Sequence, residues 1–170
     1  MTTGLSPVRD VMSRAVVAVA PTMTVADALD LAHEHAISHL PVVAGGRAVG
    51  VVCTCDMEAA ALDTDVSAIM HSPPVSIASE CLLAEAAATM ADRGVGSVLV
   101  LSGSSLAGIV TRTDFERVGL AEAAFGEQRC SVCRGYQHVH FDPRCGYFLC
   151  AACRAGARPA KDDSVLGGGD

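Results

Sequence analysis

The chain has 170 residues, 51% hydrophobic but only 4% aromatic with no Trp. That suits a globular core of Ala, Val, Leu and Ile, in one medium domain or two small ones, and no apolar run approaches the roughly 18 residues of a membrane span. The net charge of −7 is uneven: residues 1–125 carry 6 Arg against 14 Asp and Glu, residues 126–170 carry 6 Lys and Arg against 5 acids, and neither part has the basic stripe that phosphate-backbone binding requires.

Ser6-Pro7 opens a short lead-in helix through Met12, with Ser as N-cap and Pro at the first helical position. Residues 16–20 read as a buried strand closed by Pro21. Thr24 caps a helix, with Asp27 three residues on, and Val25, Ala28, Leu29, Leu31 and Ala32 form its apolar face. Residues 39–43 and 48–53 read as strands joined by a turn at Gly45-Gly46, and a helix follows over residues 56–62. The order then returns: a lead-in at 65–70, a strand at 75–78, an Ala-rich helix at 82–92, strands at 97–101 and 106–110, and a closing helix at 113–118.

The second series is the first displaced by 58 positions without a gap. Met12 falls on Met70, Val42 on Val100, Gly50 on Gly108 and Asp56 on Asp114. Such a repeat points to two copies of one supersecondary unit sharing a core. Each copy reads as β-α-β-β-α, in the α+β class. A three-stranded sheet with helices on one side leaves its other face bare, so the two copies are expected to pack sheet to sheet. The expected divisions are residues 1–64 and 65–120 for the repeats, a partly helical linker at 121–128, a small cysteine-bearing unit at 129–156 and a disordered tail at 157–170.

Both copies place an Asp just beyond a buried strand. In the second, Thr111 followed three residues later by Asp114 is a capping box. The same carboxylate can also face a cleft and accept hydrogen bonds from the vicinal diol of a ribose.

Residues 8–118 resemble a tandem pair of cystathionine-β-synthase (CBS) domains, a Bateman module. The resemblance is carried by Asp10-Val11-Met12, His39-Leu40-Pro41-Val42-Val43, Gly50-Val51-Val52 before Asp56, and Gly108-Ile109-Val110-Thr111 before Asp114. It implies two units packed around a pseudo-twofold axis, with two clefts between them that hold adenosine nucleotides or adenosyl compounds (AMP, ADP, ATP or S-adenosylmethionine), and pairing into homodimers. It places ribose contacts on Thr111 and Asp114, adenine near Ala15, Val16 and Val17, and Val95 and Ser97 along the same cleft. The first copy departs from this pattern. Cys53 stands where Ser or Thr is expected, Thr54 is one residue off, and Asp56 remains. His39 is in reach of a phosphate there, or simply packed. The Asp114 cleft is therefore expected to bind, and the Asp56 cleft to be weak or empty.

Cys130-x2-Cys133 and Cys150-x2-Cys153 are separated by sixteen residues, a spacing that points to one zinc ion. About 25 residues cannot bury enough core to fold alone, and four thiolates make a closed, structural site. The pattern resembles a zinc ribbon, with Gly135 and Gly156 after the pairs, hairpin arms at 136–141 and 146–149, and Asp142-Pro143 in the turn. Cys145 is a spare thiol that could stand in for Cys150. His138 and His140 read as surface residues, and Cys53, Cys55 and Cys81 as small buried hydrophobes.

No nucleophile-base set, phosphate loop or open metal site is present, so an enzyme is not expected. The N-terminus has no signal-peptide pattern, and a cytoplasmic location is expected. The reading is a regulatory module that senses an adenosine-containing ligand and reports it through dimerisation or through a protein partner on the ribbon. The alternative is a nucleic-acid-binding regulator with the ribbon as reader. Arg129, Arg134, Arg144, Arg154 and Arg158 are available for that, but the segment's charge of +1 falls to −1 once four thiolates and a divalent ion are counted. A redox or metal sensor using Cys145 has the least support.

Overall fold

The computed structural model describes residues 3–126, 129–134, 139–142 and 147–154. A 3-10 turn at Val8–Asp10 leads in to α1 (Val25–Glu34), β1 (His39–Ala44), β2 (Arg47–Cys53) and α2 (Thr54–Glu58). A second 3-10 turn at Val66–Ala68 leads in to β3 (Ser76–Ala78), α3 (Leu83–Arg93), β4 (Ser97–Ser102), β5 (Ser105–Thr111) and α4 (Arg112–Arg117). Among the described residues no helix is long and apolar enough to cross a membrane.

Local chemistry accounts for these elements. Thr24 Oγ1 accepts the Asp27 N–H at 3.2 Å and opens α1, whose Val25, Ala28, Leu29 and Ala32 are buried. At α3 the cap comes from the other direction: Glu85 Oε2 accepts the Leu82 N–H at 2.7 Å. Both hairpins, β1–β2 and β4–β5, are antiparallel, and each carries a register shift at the same repeat position, Val42/Val43 in the first and Val100/Leu101 in the second.

β3 pairs in parallel with β4, from Ser76 opposite Leu99 to Ala78 opposite Leu101. The strand expected over residues 16–20 is reduced to one parallel bridge, Val19 to Val42. Pro41 is the reason. Its counterpart Leu99 donates its N–H to Val75 O at 3.0 Å, and proline has no N–H to make the equivalent bond to Val17.

The lead-ins are exchanged between the repeats. Val8, Val11 and Met12 are buried with Leu83, Met90 and Phe115 of the second repeat. Val66 is buried with Val25, Leu40 and Met57 of the first. The backbone follows: Val8 donates to Cys81 O and Val66 to Met23 O, both at 2.8 Å. Ser13 bridges to Ile109 and His71 to Val51, so each lead-in continues along the other repeat's sheet. Between the sheets lies a small cluster of Val51, Leu99 and Ile109. Each lead-in methionine packs over a glycine. A Cβ on Gly108 would lie 2.6 Å from Met12 Sδ, and one on Gly50 2.7 Å from Met70 Sδ.

The segment after the repeats begins as α5 (Ala121–Phe125). Phe125 is buried edge-on against Phe115, with ring centroids 4.9 Å apart, and the Arg112 guanidinium lies 4.4 Å above its ring. The C-terminal part holds an antiparallel hairpin of β6 (Val139–Asp142) and β7 (Tyr147–Cys150), followed by one helical turn, α6 (Ala151–Arg154).

Candidate functional site

Two clefts open at the seam between the repeats, and the 58-residue displacement exchanges their walls. One, of about 170 Å³, is walled by residues 15–17, by residues 36–39 ahead of and entering β1, and by Ile109, Thr111 and Asp114. The other, of about 240 Å³, is walled by residues 73–75, residues 93–97, Val51, Cys53 and His71. Ala15, Val16 and Val17 thus stand with Thr111 and Asp114. Val95 and Ser97, expected beside them, line the other cleft with Cys53. The crossed lead-ins cause this. Pairing Ser13 with Ile109 brings residues 15–17 and the entrance of β1 to the end of β5, while pairing His71 with Val51 brings residues 73–75 and the entrance of β4 to the end of β2. His39, expected only at the Asp56 cleft, lines both.

Asp114 is 5% exposed, and both of its oxygens are engaged. Oδ2 accepts the Thr111 N–H at 2.8 Å and the Thr111 hydroxyl at 3.1 Å. Oδ1 accepts from Arg117 at 2.9 Å and from the Ser13 hydroxyl at 3.5 Å. Arg117 also donates to Val11 O at 2.7 Å, so the pair ties the first lead-in to α4. Next to it Arg112 is buried, and desolvation pushes its guanidinium down to about 10.

In the first copy Cys53 takes the place of Thr111. Its thiol donates to Asp56 Oδ2 at 3.0 Å, and its sulfur accepts the Asp56 N–H at 3.4 Å. The side-chain hydrogen bond with Cys55, burial and the neighbouring carboxylate all push its pKa far up, so Cys53 is a neutral thiol acting as a helix cap. Cys55 and Cys81 are half-buried rather than packed away. Asp56 Oδ2 also lies 2.8 Å from His71 Nε2, in an open pair with side chains 38% and 73% exposed. Sequence reasoning missed His71, Arg93, Ser13 and Arg117. The displacement itself carried the first signal, since Ser13 and His71 are equivalent positions flanking equivalent aspartates.

Cys130, Cys133, Cys150 and Cys153 converge, with all four sulfurs within 4.8 Å of one another. In each C-x2-C pair the second Cys N–H points at the first sulfur, at 3.5 Å for Cys133 and 3.4 Å for Cys153. Burial opposes ionisation of Cys130, but N–H groups of Cys133, Cys150 and Val132 outweigh it and bring the thiol down to about 6. Burial, with hydrogen bonds among the cysteines, pushes Cys153 up to about 12. The backbone turns at Arg134, with φ of 64°. Gly135, Tyr136, His138, Pro143, Cys145, Gly146, Gly156 and the tail from 157 lie outside the described residues, and His140 falls in β6.

Two repeats with exchanged lead-ins and paired clefts at their seam define a tandem two-repeat module. The family model for the CBS domain matches residues 8–62 and again 66–120, and the chain belongs to the CBS domain family. It is 25% identical to the CBS domain-containing protein YhcV of Bacillus subtilis (strain 168) over 142 residues, covering 80% of this chain and all of that one. Among solved structures, the CBS domain pair of protein MJ0100 in complex with 5′-methylthioadenosine and S-adenosyl-L-methionine has a TM-score of 0.64 at 23% identity, covering 68% of this chain and 96% of that one. CBSX2 in complex with AMP has a TM-score of 0.59 at 25% identity, covering 67% and 96%.

Proposed function

We propose that this protein is a regulatory module that binds an adenosine nucleotide or adenosyl compound between its repeats and relays binding through self-association or through a partner of its C-terminal hairpin. The observation that carries this is the pair of equivalent clefts at the seam of a CBS pair, and the AMP complex of CBSX2 supports the ligand class. A ligand in either cleft touches both repeats, so its binding energy bears on their mutual packing. The four converging cysteines hold one structural zinc, a closed set with no open coordination position. The module works in the cytoplasm, where free thiols persist.

Thermal unfolding with and without AMP, ADP, ATP and S-adenosylmethionine tests the ligand. A ligand at 100 times its Kd raises stability by about 2.7 kcal/mol, a rise in Tm of several degrees. No shift with any of the four at millimolar concentration would overturn the reading.

A further inference from the structure

The two clefts occupy equivalent positions but offer a ligand different chemistry. The Asp114 side chain is 7% exposed and already accepts four hydrogen bonds from within the chain. A diol could reach it only by displacing Thr111, Ser13 or Arg117. The equivalent Asp56 is 38% exposed. Its two hydrogen-bonding side-chain partners are a weakly bonding thiol and an exposed imidazole.

Charge separates them further. Arg93, at the end of α3, lines the Cys53 cleft and has no ion pair among the described residues. The equivalent position in the first copy is His35, which does not line the Thr111 cleft. His71 lines the same cleft as Arg93. The Thr111 cleft is lined by the Asp114 carboxylate and by no arginine. The Cys53 cleft is also the larger, about 240 Å³ against 170 Å³, and Pro74, Val75 and Val95 give it an aliphatic wall.

We infer that the cleft between Cys53 and Arg93 binds a phosphate-bearing ligand, with the phosphate at Arg93 and His71 and the apolar part against Val75 and Val95, and that in the Thr111 cleft the chain's own bonds to Asp114 compete with a ligand for the carboxylate. This reverses the preference read from Thr111 and Cys53 alone, and it rests on the nucleotide reading above. A guanidinium is suited to a phosphate because its forked donors meet two oxygens at once.

Titration calorimetry of the full chain with AMP, adenosine and ribose 5-phosphate tests the assignment, using wild type, Arg93→Gln, Arg93→Glu and Thr111→Val. Arg93 is exposed, so its variants should keep the fold. The expected result is AMP binding at least about ten-fold tighter than adenosine, a loss of about ten-fold or more in Arg93→Gln and a larger loss in Arg93→Glu. Equal affinity for AMP and adenosine, or a loss in Thr111→Val with none in Arg93→Gln, would overturn the cleft assignment and leave the nucleotide reading standing. Arg93-dependent binding of ribose 5-phosphate as tight as that of AMP would uphold the cleft and sink the adenosine preference. Binding of none of the three would overturn the cleft assignment, and the nucleotide reading falls with it only if ADP, ATP and S-adenosylmethionine also give no thermal shift.

Discussion

Replacing the Asp114 carboxylate disturbs the end of β5, the start of α4 and the first lead-in together, because Thr111, Arg117 and Ser13 all donate to it. Asp114→Asn should therefore lower the stability of the ligand-free protein by about 1–3 kcal/mol, the usual cost of leaving buried polar partners unsatisfied. Asp56→Asn breaks an open pair with His71 and should cost no more than about 1 kcal/mol. Denaturant midpoints of the two variants without ligand check this, and an equal loss at both sites would refute it. The capping half of the Asp114 site was legible, since a Thr followed three residues later by an acid is a local pattern. Arg117 lies one helical turn from Asp114, a spacing that could have flagged it. Ser13 is 101 residues away, and no local pattern reaches that far.

The helices show the same division between local and distant causes. α3 ends at Gly94 in the left-handed region, with φ of 62°, and the equivalent Ala36 after α1 adopts φ of 51°. A left-handed conformation costs an L-residue about 1–2 kcal/mol, partly offset here by the greater unfolded-state entropy of glycine. Ala36→Gly should then raise stability by up to about 1 kcal/mol and Gly94→Ala should lower it by about as much, both read from thermal unfolding. A loss on Ala36→Gly would contradict the shared geometry. Gly50 and Gly108 have a different role. A methyl on Gly108 would meet Met12 Sδ at 2.6 Å and Ser13 O at 2.9 Å, and one on Gly50 would meet Met70 Sδ at 2.7 Å and His71 O at 3.0 Å. The methionines can swing, but the carbonyls belong to the crossed lead-ins. Gly108→Ala should cost about 1–3 kcal/mol, as overpacking does, and a neutral result would mean the lead-in is loosely held. The glycines were visible as repeated positions, but their purpose was not. It depends on which repeat each lead-in packs against.

At the scale of the whole molecule, the two-copy plan and the order of elements were written in the 58-residue displacement, because repeated apolar spacing is a local signal. The exchange of lead-ins was not, since the apolar residues Val8, Val11 and Met12 carry no local signal of which repeat they pack against. That exchange also explains why Val95 and Ser97 fall in the cleft of Cys53 rather than that of Thr111. The C-terminal hairpin is a separate question of size. Its apolar cluster centres on Cys130, Val139 and Cys150, with Val132, Phe148 and Leu149 packed around it. A cluster that small cannot offset the entropy of ordering the segment unless a metal draws the four sulfurs together. The repeats have their own cores in two larger clusters that contain none of these residues. Chelation should therefore release one zinc per chain and melt the hairpin while the repeats keep their cooperative unfolding transition. Metal analysis with thermal unfolding, before and after a strong chelator, reads both effects. Cys130→Ser should lose the zinc and behave like the chelated protein, whereas Cys53→Ser should keep it. Iron in place of zinc, or a hairpin that stays folded after metal removal, would sink the structural-zinc reading, and collapse of the repeats together with the hairpin would show that the two parts share a core.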